Sequence, residues 1–329
     1  MGRVLSVLIV GCGRIAGGFD DERKSAEFAL SHAGAYRKDA TVRLDACVDT
    51  NADIAEAFAQ RWSVGQAYTH CDDIPDGSEF DVISICTPTS FHRSSVEEVL
   101  RFNPSVIFLE KPVSSSAEVS SGLLDQCREK GIALVVNYSR RWDRRLSGVR
   151  RRLENGELGS LRAVAGIYNK GIRNNGSHML DALTEIVGPL TPEWVSLRPD
   201  NTRVEDPDVD AVLISREGVR CTLISTDSED FAQFELTFLT SQGEIRMLDG
   251  GLRWSERLAE DSPDFAGYKR LGNECDVSGD YFPVMERAVS DVIRIARSDA
   301  CATSTDYRAA EQAVNVEYLI EQILDMTDE

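Results

Sequence analysis

The stretch Gly11-Cys12-Gly13-Arg14-Ile15-Ala16, followed by Gly17, carries the first chemical signal in the chain. It reads G-x-G-x-x-A: one glycine for a tight turn, a second that lets backbone approach a pyrophosphate, and a small residue where helix meets strand. Free N–H groups at a helix N-terminus would hold that pyrophosphate, so Gly11, Gly13, Arg14, Ile15 and Ala16 are candidate cofactor contacts. Farther on, Val48-Asp49 ends a second apolar run, where a carboxylate can accept hydrogen bonds from both hydroxyls of an adenosine ribose. An acid there favours NAD and repels the extra phosphate of NADP; an N-cap for the following helix is the competing role of Asp49. Asp49 lies 33 positions after Ala16, against about 20 in the usual unit. Gly17 to Ser25 accounts for much of the excess as a loop inserted before the helix, and it should lie near the cofactor.

A second group stands where Ser105 to Leu109 runs into Glu110-Lys111-Pro112. Ligands bind beyond the carboxyl ends of parallel strands, which puts Lys111 where it can donate to a substrate oxygen as hydride moves. A donor of this kind is worth roughly 3 to 4 kcal/mol. Glu110 is suited to pair with Lys111 and hold it. His178, in Gly176-Ser177-His178-x-x-Asp181 with Ser177 as a helix N-cap, titrates near neutrality. It can take a hydroxyl proton as hydride leaves the carbon, an effect of about 100- to 10,000-fold. His32 and His70 have no comparable setting and read as structural.

These groups need elements to position them. The first 138 residues alternate apolar runs with amphipathic stretches, the pattern of strand-helix units on a parallel sheet. Strands are predicted at 3–10, 42–49, 80–86, 105–110 and 133–137, with a brief one at Ala67-Tyr68; helices are predicted at 26–38, 53–61, 94–102 and 117–130, the last closed by Gly131. Beyond Asn137 an Arg-rich helix at about 144–154 precedes strands at 161–168, 194–198, 209–215, 220–226, 234–240, 244–248 and 252–257, with a hairpin turn at Gln242-Gly243. That run predicts an antiparallel meander, closed by helices at 281–297 and 306–326. The fold class is α/β: a dinucleotide-binding domain over 1–138 and an α+β substrate domain over 139–329.

Length and charge agree. A chain of 329 residues is comfortable for two domains. A net charge of -19 repels phosphate backbones and acidic lipid, so neither nucleic acid nor membrane is an expected partner. Arg3, Val4 to Val10 and Cys12 have the outline of a short secretion signal, but the apolar run is short and the glycine pattern accounts for it, which leaves the cytoplasm as the expected location. Eight scattered cysteines with no CxxC and no Cys/His cluster suggest neither a metal site nor a disulfide framework.

Taken in order, Gly11-x-Gly13-x-x-Ala16, Thr87-Pro88-x-x-x-His92, Glu110-Lys111-Pro112, Asn137 to Arg141 with a following amphipathic helix and Gly159, and Gly176-Ser177-His178-x-x-Asp181 resemble the Gfo/Idh/MocA family of sugar and polyol oxidoreductases. The resemblance implies a Rossmann domain followed by an open antiparallel sheet that carries the substrate site and oligomer contacts, hence a homo-oligomer. It implies that Thr87, Pro88 and His92 lie near the nicotinamide half of NAD, with Glu110 among the cofactor contacts, and that Lys111 and His178 face the substrate. Many members carry an aspartate four residues before this histidine; here Asn174 stands there. Asn can hydrogen-bond a sugar hydroxyl but cannot charge-tune a cation, and Asp181 either substitutes in part or binds substrate. Lys170 and Arg173 hint at an anionic substrate. For the cluster Arg140, Arg141, Arg144, Arg145 and Arg150 to Arg152, a helix face paired to carboxylates competes with recognition of a phosphate or carboxylate through forked guanidinium contacts, Arg141 being the candidate by family analogy. The expected activity is hydride transfer between NAD(H) and a secondary alcohol or ketone of a sugar-like, possibly nucleotide-linked substrate. A cofactor-binding sensor and an enzyme that uses NAD transiently are the rivals.

Overall fold

A computed structural model describes residues 3–21, 27–198, 205–298 and 304–327. Contacts divide the chain into two compact units, Met1–Ser139 with Phe282–Asn315, and Arg140–Tyr281 with Val316–Glu329. A single boundary near residue 138 does not anticipate the return of Phe282–Asn315 to the first unit.

In the first unit six strands, β1 (Leu5–Val10), β2 (Val42–Val48), β3 (Gln66–Tyr68), β4 (Val82–Ile85), β5 (Val106–Leu109) and β6 (Ala133–Val136), form a parallel sheet in the order β3-β2-β1-β4-β5-β6. The order reverses between β1 and β4, the place beyond whose carboxyl ends parallel sheets of this kind bind ligands. Every residue of β4, β5 and β6 is buried, as expected of parallel strands covered on both faces. Five helices accompany these strands: α1 (Phe19–Asp21), α2 (His32–Arg37), α3 (Ala52–Trp62), α4 (His92–Val99) and α5 (Ala117–Glu129). Gly131 does close α5, with φ +68 and its N–H donating to the Arg128 carbonyl at 3.0 Å.

The first crossover differs from expectation. Helical structure starts at once after the glycine turn, as a π-type turn over Arg14–Gly18 that leads into α1. Gly17 to Asp21 of the expected loop are therefore helical; its Glu22 to Ser25 lie outside the described residues. Asp20, buried in α1, accepts hydrogen bonds from the Leu30 and Ser31 N–H groups, and the Ser31 hydroxyl accepts from the Gly34 N–H. Chain entering α2 is thus pinned at Ser31, and the helix begins at His32, not near residue 26.

The second unit opens with α6 (Arg144–Glu154), capped by Asp143, and continues with β7 (Leu161–Tyr168), α7 (Ser177–Val187), β8 (Leu190–Leu197), β9 (Val209–Ser215), β10 (Arg220–Ser225), β11 (Phe234–Thr240), β12 (Gly243–Leu248), β13 (Arg253–Asp261), β14 (Lys269–Leu271) and β15 (Cys275–Ser278). The sheet runs β14-β13-β12-β11-β7-β10-β9-β8, with β15 also on β13. It is mixed rather than wholly antiparallel, because β10 pairs parallel to β7. The excursion through α7 carries the chain to the far edge, and the hairpins β8-β9-β10 bring it back beside β7 in the same direction. Buried residues alternate with less buried ones along β9 and most of β7 and β11, and Gly166 of β7 leaves room for Met179 of α7. Strands β14 and β15 lack alternating burial, so no periodicity announced them. Helix α8 (Val284–Ala296) then packs on α2, β4 and β5, and α9 (Ser304–Asp325) ends the chain. No helix among the described residues is long and apolar enough to cross a membrane.

A Cβ at Gly17 would stand 2.7 Å from the Phe58 ring and closer still to the Trp62 indole nitrogen. Gly17→Val should therefore lower stability by about 1–3 kcal/mol, measured as a lower urea midpoint; an unchanged midpoint would show that α3 yields freely.

Candidate functional site

At the end of β1 the chain turns through Gly11, whose φ of +86 lies in the left-handed region. A Cβ there would also come within 2.8 Å of the Thr87 backbone nitrogen and 2.9 Å of the Cys86 carbonyl carbon. Conformation and space both demand glycine. Gly13 differs, since a Cβ there would meet nothing within 4 Å and would project into open space above the turn. That is the clearance a pyrophosphate needs over a glycine loop. Ala16 is fully buried beneath the turn, whereas Arg14 is exposed and stacks on Phe19 with 4.8 Å to the ring centroid; Ile15 is half-buried.

Asp49 is drawn to this loop. Its carboxylate accepts the Cys12 N–H at 3.0 Å and the Asn51 N–H at 3.0 Å. Asn51, not Asp49, caps α3, accepting from the Asp53 and Ile54 N–H groups. The carboxylate therefore fixes the loop to the end of β2 and stays half-exposed.

The ends of β4 and β5 are joined through His92. Its buried ring lies between two carbonyls, Nε2 at 2.8 Å from that of Thr87 and Nδ1 at 2.7 Å from that of Pro112. Burial holds its pKa below the usual imidazole value, against the opposing pull of both carbonyls. His92 is thus a clamp between the loops bearing Thr87-Pro88 and Glu110-Lys111-Pro112; Pro88 itself is exposed and Thr87 half-buried. Glu110 accepts from His32 Nε2 at 2.9 Å and from the Asn137 amide at 2.6 Å. Burial alone would raise the Glu110 pKa, yet the His32 and Asn137 contacts and the neighbouring Lys111 ammonium outweigh it and bring it below the ordinary carboxylate value. From sequence alone His32 reads as structural, because nothing local to it signals a partner 78 positions away.

In the second unit, Arg141 and Asp181 are joined to each other. Arg141 Nη2 lies 2.6 Å from Asp181 Oδ1 and Nε lies 3.1 Å from Oδ2, with side chains only 10% and 1% exposed. Both are substrate candidates by sequence; the geometry commits them first to a forked ion pair between Arg141 and the α7 residue Asp181. Arg140 is buried against the Phe234 ring, 3.5 Å from its centroid, and donates to the Gly250 carbonyl. Arg150 pairs with Glu154 and Glu185, and Arg152 with Glu157 and Glu256. Much of the arginine cluster is thus spent on carboxylates and a ring face, the plainer of the two readings.

His178 is the second residue of α7 and half-buried. Ser177 does not cap that helix: its hydroxyl donates to the Asn174 carbonyl at 2.7 Å, because Gly171–Gly176 already form a π-type turn continuous with α7. This turn is held from below by two acids that no motif foretold. Asp208 accepts the Gly171 N–H at 2.8 Å, and Asp206 accepts those of Arg173 at 2.7 Å and Asn174 at 3.1 Å. Asn174 is exposed.

Residues 5–138 match the family model Gfo/Idh/MocA, described as an oxidoreductase family with NAD-binding Rossmann fold. Inositol 2-dehydrogenase of Rhizobium meliloti (strain 1021) is 32% identical over 133 residues, 40% of this chain and 39% of the relative. The match thus spans about two fifths of that relative's length. Among solved structures, the 3-ketoreductase KijD10 from Actinomadura kijaniata, in complex with NADP and TDP-benzene, is similar with a TM-score of 0.75 at 16% identity, covering 98% of both chains. WlbA dehydrogenase from Bordetella pertussis, with NADH and UDP-GlcNAcA, is similar with a TM-score of 0.75 at 19% identity, covering 99% of this chain and 97% of that one. At such identities these two likenesses show the fold.

Removing one partner of the buried pair leaves the other charge stranded. Arg141→Leu should cost about 3–5 kcal/mol, whereas Arg141→Met combined with Asp181→Leu should recover most of it; urea unfolding of the three proteins measures both, and equal losses in the single and double variants would contradict the pairing.

Proposed function

Because residues 5–138 match the Gfo/Idh/MocA oxidoreductase model, we propose that this chain belongs with that family and passes hydride between NAD(H) and a secondary alcohol or ketone of a sugar or sugar derivative. The observation that carries the reading is the end of β5, where Lys111 follows a Glu110 carboxylate held by two donors, within the unit that also bears the glycine turn. The residues of that turn fit a dinucleotide: Gly13 leaves open the volume a side chain would fill, and Gly11, Arg14, Ile15 and Ala16 shape the turn around it. Asp49 accepts the adenosine ribose hydroxyls and disfavours NADP. Thr87 and Pro88 border the nicotinamide half, with His92 and Glu110 holding their loops. When bound, nicotinamide supplies the hydride chemistry.

Lys111 donates to the substrate oxygen and stabilises the charge that grows there. His178 takes the hydroxyl proton in the oxidative direction and returns it in reduction. Asn174 offers an amide to a sugar hydroxyl, while Arg141 and Asp181 shape the substrate side through their mutual pair. Nucleotide-linked and acidic sugars belong among the substrates tested, since the KijD10 and WlbA structures contain TDP-benzene and UDP-GlcNAcA. A cytoplasmic homo-oligomer completes the reading; Trp194 and Ile224 on the open sheet of the second unit are 52% and 44% exposed and suit an interface.

The decisive experiment screens free and nucleotide-linked sugars with NAD and NADH by nicotinamide absorbance. Lys111→Ala and His178→Ala should each cut turnover about tenfold or more with NADH binding intact, and normal turnover in either would remove its role. Gly13→Val should fold with wild-type stability yet bind NADH about tenfold more weakly or worse. Titration should rank NADH above NADPH; the reverse ranking would remove the role given to Asp49. Cofactor binding without turnover on any sugar would favour the regulatory alternative to which Asn174 points.

A further inference from the structure

We propose that His32 is a positioning residue for the reaction above: by holding the Glu110 carboxylate in its anionic form, it keeps Lys111 as the ammonium that donates to the substrate oxygen. The inference rests on that reading and extends it to a buried network that hydride transfer does not itself require. His32 is completely buried at the first position of α2, with its ring 4.5 Å from that of Phe108 on β5. Nε2 lies 2.9 Å from Glu110 Oε1, and Nδ1 lies 3.1 Å from Ser84 Oγ, which is 2.8 Å from the Tyr36 hydroxyl.

Hydrogen positions follow from the chemistry of these groups. Burial pushes the Tyr36 phenol up, so it remains protonated. A carboxylate only accepts, so both contacts on Glu110 Oε1 must be donated, one by His32 Nε2–H and one by the Asn137 amide at 2.6 Å. Ser84 and Tyr36 complete the network on the far side of the imidazole. Without these donors a carboxyl so enclosed would take up a proton. Lys111 would then lose the adjacent anion. An apolar side chain would fill the space against Phe108 equally well, but it would not donate.

Other titratable groups around Glu110 are the Cys86 thiol at the end of β4, the His92 imidazole of α4 and Lys111 itself. Burial and the Glu110 charge both raise the Cys86 thiol, so it stays neutral and does not compete for the carboxylate. His32 is in turn set by the first crossover: Asp20, in the helix that follows the glycine turn, holds the Leu30-Ser31 backbone immediately before it.

Lys111 is one of six lysines, so reductively methylated protein gives few carbon-13 dimethyl-lysine signals, and Lys111→Arg identifies the one to follow. In the full chain without cofactor or sugar, His32→Leu should lower the Lys111 titration midpoint by about one unit or more. Glu110→Gln should do the same, and His32→Gln, which keeps an amide donor, should restore most of the shift. An unchanged midpoint in folded His32→Leu overturns the proposal. If that variant does not fold, nitrogen-15 spectra of the wild-type imidazoles decide: a proton on His32 Nε2 supports it, and a bare Nε2 facing Glu110 overturns it. Because the titration involves no turnover, the two readings fail separately. A shift present in a protein that oxidises no sugar removes the reaction, and no shift in an active enzyme removes only the positioning role.

Discussion

No side chain can stand at residue 11, and the first unit depends on that constraint. The turn after β1 passes so close to the backbone entering Thr87 that even a methyl group would collide with it. The proximity exists because β1 lies between β2 and β4, so the loops that leave these strands crowd together at one edge of the sheet. Asp49 ties the turn to the end of β2 through the Cys12 N–H, and His92 ties the end of β4 to the end of β5. Four strand ends are thereby linked without any contact longer than a hydrogen bond. Links of this kind fix the backbone of the turn relative to three neighbouring strands.

Charge is managed by enclosure in both units. The chain carries an excess of acids, yet the acids that matter structurally are buried and answered: Asp20 by two N–H groups and a hydroxyl, Glu110 by an imidazole and an amide, Asp181 by a guanidinium. A buried carboxylate that meets directed donors fixes the geometry of those donors. Asp206 and Asp208 act similarly on backbone, holding the turn ahead of His178. Arg140 lies on a ring face, and Arg141, Arg150 and Arg152 meet carboxylates, partners that charge along a segment does not reveal.

Legibility followed the range of the interaction. Strands β7, β9 and β11 match their predicted spans because side-chain alternation is a local property, and α6 does so because Asp143 and Asn155 mark its ends. Helix α2 starts later than its sequence pattern predicts, because a carboxylate from the preceding helix holds the backbone just before it. Ser177 was read as a cap although the turn before it is already helical. Short β14 and β15 owe their place to β13 rather than to any pattern of their own.

The amino-acid sequence by itself determined the parallel sheet and its glycine turn, the chemical candidates at strand ends, and a second, sheet-based unit, because each is written in spacings of a few residues. Tertiary structure decided which acids and bases meet: His32 with Glu110 across 78 positions, Arg141 with Asp181 across 40, and β10 alongside β7. Such encounters depend on how strands are ordered in space, and pairing order is set by the packing of whole elements, which no local spacing encodes.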